Sequence, residues 1–209
     1  MATFSEMKTW VSKRLQDPNN TSVSSEDVGD LINMALGYWK NERFWFNEVT
    51  DTATLTASNA TIPLPADYLL PSVDNAFVIE YSGIRYPLKK VSQELYNSMY
   101  LSNGIGQPKW FSRQANSEYQ VYPNPDRDYT IRRFYLKNYD SFVNANDTND
   151  FSTKATTILQ YTASAYGYRD FKQDVQMYQL FWAQAQEEYQ NLLAITRKDN
   201  ATGSVTIYM

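Results

Sequence analysis

The 209-residue chain contains no cysteine and no histidine. Without cysteine there is no disulfide framework, no thiol nucleophile and no thiolate ligand for zinc. Without histidine it also lacks the side chain most often used as a general base near neutral pH, which is the commonest metal ligand as well. Ser-His-Asp and Cys-His chemistry are therefore excluded, and neither a metal, a cofactor nor a catalytic residue is expected. Basic residues are in deficit. There are 19 Lys and Arg against 23 Asp and Glu, a formal net charge of −4, and the pI is about 4.9. That balance argues against a protein that grips nucleic acid through a broad phosphate-neutralising surface. Long apolar runs are missing too. No stretch approaches the ~18 residues of a membrane span, and the first residues lack a basic segment followed by an apolar one. A protein made in a bacterial cytoplasm, with no membrane partner, is expected.

Aromatic residues are abundant. Seventeen Tyr, ten Phe and five Trp make up 15% of the chain, and tyrosine accounts for much of the low mean hydropathy of −0.56. Such side chains combine large apolar area with a polar tip, which suits half-buried surfaces and subunit interfaces and equally suits an aromatic core. The length allows one sizeable domain, alone or with a smaller insertion.

Apolar residues at Phe4, Met7, Val11 and Leu15 recur at helical spacing, and Asp17-Pro18-Asn19-Asn20 ends that stripe. Ser24 and Asp27 form a variant capping box. The face that follows, Val28, Leu31, Ile32, Ala35, Leu36, Trp39, Arg43 and Phe46, predicts a helix reaching the end of the aromatic run. Gly29 and Gly37 lie inside it, each costing about 1 kcal/mol relative to Ala, so packing or a closely approaching partner must favour them. Ala53 to Thr56 alternates like a strand, and Ile62-Pro63-Leu64-Pro65 reads as a rigid extended segment at an edge or corner. A hairpin turning at Ser82-Gly83, a short helix capped by Ser92 with Leu95 and Met99, and strands over 109–113, 118–122 and 129–137 complete a β-rich middle. A turn is expected at Asn116-Ser117. A polar linker, Asn144 to Asp150, precedes helical spacing from Thr153 to about Arg197, with Gly167 as a possible interruption.

These signals predict an α+β fold, a helical bundle of two N-terminal and long C-terminal helices bracketing a β-rich insertion. The expected divisions are 1–48, 49–145, 146–198 and an extended tail, 199–209. Gly104-Ile105-Gly106 lacks the third glycine and the Lys-Ser/Thr of a phosphate loop. The carboxylate pairs Glu187-Glu188 and Asp126-Asp128 are the nearest approach to a glycosidase site, but read more simply as solvated charges. Arg132 and Arg133, among aromatics, read as exposed strand decoration.

The order of segments carries more than any one of them. The series comprises Ala35-Leu-Gly-Tyr-Trp-Lys-Asn-Glu-Arg-Phe-Trp-Phe-Asn-Glu48, a Thr-rich strand, Ile62-Pro-Leu-Pro-Ala-Asp-Tyr68, Val91-Ser-Gln-Glu-Leu95, Gly106-Gln-Pro108, Tyr122-Pro-Asn-Pro-Asp126, Tyr135 and Thr148-Asn-Asp150. It resembles the head-to-tail adaptor proteins of short-tailed bacteriophages, the connector proteins related to tail tubular protein A. The resemblance implies a non-enzymatic structural virion protein at the neck. It implies a homo-oligomeric ring of about twelve copies that binds the portal above and a tail nozzle protein below. Tail fibres would be a further contact, and double-stranded DNA would pass through without specific binding. On this reading Val205, Ile207, Tyr208 and Met209 are expected at the portal interface, and Trp39, Phe44, Trp45, Phe46, Phe181 and Trp182 between subunits. A virion-associated cell-wall hydrolase and a glycan-binding tail component stand as alternatives.

Overall fold

The structure, a computed structural model, describes residues 2–102, 104–114 and 118–201. The chain divides into two compact units. One contains the residues up to Asn47 and those from Asn138 onward; the other is Glu48–Lys137. Its helices are α1 (Phe4–Arg14), α2 (Ser25–Trp39), α3 (Gln93–Tyr100), α4 (Asp150–Lys154), α5 (Thr156–Gly167) and α6 (Val175–Ala201). Its strands are β1 (Glu48–Leu55), β2 (Tyr68–Pro71), β3 (Phe77–Tyr81), β4 (Ile84–Pro87), β5 (Lys89–Lys90), β6 (Ile105–Gly106), β7 (Trp110–Arg113), β8 (Tyr119–Tyr122), β9 (Asn124–Pro125) and β10 (Tyr129–Lys137). The fold is α+β, as the sequence predicts.

In the helical unit each of the first two helices starts on a capping box. Thr3 and Glu6 exchange hydrogen bonds at the head of α1, and Ser24 and Asp27 do so at the head of α2. The loop between them is pinned by Asp17. Its buried carboxylate accepts from the backbone N–H and hydroxyl of both Thr21 and Ser22 and from the N–H of Val23, all within 2.9 Å. Helix α5 lies against α1, α2 and α6. Met7, Val11, Leu15, Ile32, Ala35, Leu36, Ile158 and Leu159 form the centre of this core.

One helix ends earlier than expected, and the interruption expected at Gly167 is present. The face predicted to run to Phe46 stops at Trp39, because the buried Asn47 takes over the local hydrogen bonds. Its side chain accepts from Phe44 N–H at 2.9 Å and donates to Glu42 C=O at 2.8 Å, folding residues 42–47 into a turn. The C-terminal helical run is broken into α4, α5, a π-helical turn over Tyr168–Lys172 and α6, with Gln173 left-handed at φ 52°. The break follows Gly167, where a Cβ would stand 2.7 Å from Leu15 Cδ2, so α1 and the end of α5 are in direct van der Waals contact. Helix α6 then runs 27 residues, roughly 40 Å. Residues 138–145, expected with the insertion, pack with the helices. Tyr139 and Phe142 enter their core, and Asn33 both donates to Phe142 C=O and accepts from its N–H.

In the β unit, β10 is the spine. It pairs antiparallel with β1 along one edge and with β3 and β2 along the other, and β4 extends β3 through the Ser82-Gly83 turn. Both turn residues have positive φ, 51° and 78°, as a tight hairpin requires. A smaller sheet, β5-β7-β8, covers the apolar face, and Leu55, Ile62, Phe77, Ile79, Phe111, Val121 and Ile131 fill the space between. In α3 the buried residue is Tyr96, while Leu95 is half exposed. The reading of Arg133 as exposed decoration is overturned. Arg133 is 6% exposed; it stands opposite Asp51 in the β1–β10 register, donates to Asp51 Oδ1 at 2.7 Å and also bonds Pro63 C=O. The extended segment after Ile62 lies over that face of β10, so the guanidinium is enclosed and needs a charged partner.

Two outcomes follow from this packing. Gly167→Ala should destabilise the protein by about 1–3 kcal/mol in denaturant titrations, since the added methyl meets a buried Leu15. Hydrogen bonding by Thr21, helped by the N–H groups of Val23, Ser22 and Thr21 and opposed by burial, holds the Asp17 carboxyl well below the ordinary carboxylate range. A folded-state pKa below the unfolded value of about 3.9 adds stability above that pH and loses it as pH falls further. Asp17→Asn should therefore lower stability at neutral pH and flatten its decline below about pH 4, measured as denaturation midpoint against pH.

Candidate assembly surfaces

The aromatic residues expected between subunits fall into two groups. Trp39, Phe44, Phe46 and Phe181 are buried in the subunit's own helical core. The Trp39 indole N–H donates to Thr162 Oγ1 at 2.8 Å, and its ring lies 5.0 Å from Tyr189 and 6.5 Å from Trp182. Phe44 and Phe46 stack at 5.3 Å, and both meet Phe151 edge-on. The subunit's own residues cover them, Phe44 and Phe46 through Phe151 and Phe181 through Tyr161 and Tyr168. Trp45 and Trp182 are half-buried and keep part of their rings outward. Trp45 is positioned by its N–H, which donates to Thr196 Oγ1 on α6, and by its edge against Phe46. Burial and a 2.7 Å hydrogen bond to Glu42 push the Tyr189 hydroxyl up to about 12, so it stays a neutral donor.

Outside this core lies a surface that joins Gly37 and Trp182, both singled out in the sequence, to Met34 and Tyr38. Met34 and Tyr38, on one face of α2, are 49% and 48% exposed, and Gly37 lies between them with open space where a Cβ would be. The Tyr38 ring meets Trp182 edge-on at 5.7 Å, and Trp182 stacks with Tyr166 and Tyr178 at 6.2 and 6.4 Å. The Arg169 guanidinium covers the Tyr166 ring at 4.7 Å. An aromatic strip thus runs from α2 onto α6. The usable signal was the pairing of an interior helix glycine with a neighbouring tyrosine, which the amphipathic pattern of α2 does not explain.

The other sequence features have local roles. Gly104 is close-packed, with a Cβ there falling 2.6 Å from the Tyr122 hydroxyl, and its C=O accepts from Asn124 N–H. Asp126 is held below the ordinary carboxylate range first by the Tyr129 hydroxyl at 2.6 Å and then by Arg127. Asp128 accepts from Ala57 N–H. Glu187 and Glu188 sit on α6, where Asn191 donates to Glu188. Val205, Ile207, Tyr208 and Met209 lie outside the described residues, as does the turn expected at Asn116-Ser117. No helix among the described residues is long and apolar enough to cross a membrane.

No curated protein matches the chain. A family model, described as SU10 adaptor protein, matches residues 2–208, nearly its whole length. The two helical segments around a β unit, the surplus of packed aromatics and this match agree: the chain belongs to the SU10 adaptor protein family and is a structural adaptor of a bacteriophage.

Proposed function

We propose that the chain assembles with further copies of itself into a ring of about twelve subunits that joins the portal to the tail and continues the DNA channel. The observation that carries this reading is the exposed Met34–Gly37–Tyr38 face of α2, continuous with half-buried Trp182. A helix-interior glycine with nothing packed on it costs about 1 kcal/mol relative to Ala, and a neighbouring subunit approaching the α2 backbone at that point would offset it. Tyr and Trp beside it supply the anchors that subunit interfaces favour. Trp45 serves as a second contact.

Charge supports the conduit role. The β unit holds nine basic and nine acidic residues, and the helical unit ten basic and fourteen acidic, so the net charge of −4 belongs to the helical unit. A channel wall of that sign lets the duplex slide, because each phosphate neutralised by Lys or Arg would strengthen binding through counterion release. The segment Val205, Ile207, Tyr208 and Met209 is proposed to reach the portal, by strand addition or by seating Ile207 and Tyr208 in a pocket. The nozzle protein and tail fibres are the partners proposed below, and the assembled virion is the site of action.

Native mass measurement of the protein alone and mixed with its portal tests the reading. A symmetric multiple of the subunit appearing with portal is expected, and a persistent monomer beside unaltered portal would remove it. Within that assay, Gly37→Ala should raise the isolated subunit's stability by up to about 1 kcal/mol. Gly37→Leu and Tyr38→Glu should leave the subunit folded and cut ring yield; full yield from both would take α2 out of the contact.

A further inference from the structure

The β unit carries a cleft between β4 and β7 with a volume of about 400 Å³, lined by Tyr86, Pro87, Lys89, Pro108, Lys109 and Trp110. Its construction is specific. The parallel pairing of β5 with β7 places Lys89 opposite Trp110, and Lys89 N–H donates to Lys109 C=O at 2.9 Å. Lys109 N–H in turn donates to Tyr122 C=O at 3.0 Å, so the backbones that carry the two lysines are held against each other at the cleft. Both are exposed, and among the described residues no carboxylate pairs with either. An anionic group in the cleft that both lysines line can take up charge-assisted contacts with their ammonium groups. The walls are apolar: Trp110 is backed by Tyr122 in a stack at 6.2 Å and 27°, which fixes its ring, and a proline borders each side.

We propose that this cleft is the docking site for an extended acidic segment of a partner protein. Its Asp or Glu side chains pair with Lys89 and Lys109, and its intervening proline, aromatic or aliphatic residues lie on Trp110 and Tyr86. Ring-and-proline walls suit an extended backbone that arrives with little conformational freedom to lose. A polypeptide is favoured over single-stranded nucleic acid. A nucleic-acid track needs cations in succession along the phosphates, and here there are two in a chain of net charge −4. The site stands apart from ring formation, since one subunit holds all of it.

The test uses the full chain and a short-peptide display library. Selected peptides should be acidic, with proline or aromatic residues between the acids. They should bind Lys89→Gln/Lys109→Gln about tenfold or more weakly, the loss of two charge-assisted contacts, and weaken with added salt. With 5-fluorotryptophan incorporated, they should move the fluorine resonance assigned by Trp110→Phe and leave those of Trp10 and Trp39 in place. Both lysines are exposed, so the double variant keeps the fold and serves as its own control. Selection without acidic bias, or equal binding by the double variant, overturns the proposal. So does oligothymidylate that binds the cleft more tightly than the best peptide at equal salt, which would assign it to nucleic acid.

Discussion

The helical unit is closed by residues that lie far apart in sequence, and Trp39 is where they converge. Its indole N–H finds Thr162 on α5, and its ring meets Tyr189 and Trp182 on α6. A buried indole needs an acceptor, and losing one costs about 1–3 kcal/mol. The single hydrogen bond therefore selects the register in which α2 lies on α5. Other contacts between distant residues close the same unit. Phe44 and Phe46 fold back onto Phe151, Trp45 N–H reaches Thr196, and Gly167 comes against Leu15.

Such a core has to form although residues 48–137 intervene. The entropy of closing that excursion is met inside the β unit, because its first and last strands pair antiparallel from Glu48↔Leu136 to Leu55↔Tyr129. Asp51 and Arg133 face each other within this ladder and fasten the Pro63 segment as well. An enclosed ion pair of this kind adds little net stability, since desolvation offsets much of the attraction. What it supplies is register: a one-residue slip would turn one partner to the other face of the sheet and leave the buried Arg133 guanidinium without its carboxylate.

With both cores filled from within, two chemically distinct surface features stand out among the described residues. On the helical unit there is the strip of Met34, Tyr38 and Trp182. On the β unit there is the paired-lysine cleft at Trp110. The charge division sharpens the contrast between an acidic helical unit and a neutral β unit. These features suit a structural adaptor, which works by holding different neighbours at different faces.

The sequence by itself determined the fold class, the caps at Ser24 and Ser92, the Ser82-Gly83 hairpin and the strands β3, β4, β7, β8 and β10, because each rests on local periodicity or turn chemistry. The ordered motifs also sufficed to point to the adaptor family. Only the tertiary structure decided which aromatics are buried within the subunit and which stay partly exposed. Trp39, Phe44, Phe46 and Phe181 carry the same local signature as Trp45 and Trp182, and burial depends on the helix that lands on top, which no window of sequence contains. The same holds for Arg133, whose partner lies on another strand, for Asn47, which ends α2 early, and for Lys89 and Lys109, brought together by a parallel pairing. Long-range contacts set these outcomes, and their energies outweigh the tenths of a kcal/mol that separate one local conformation from another.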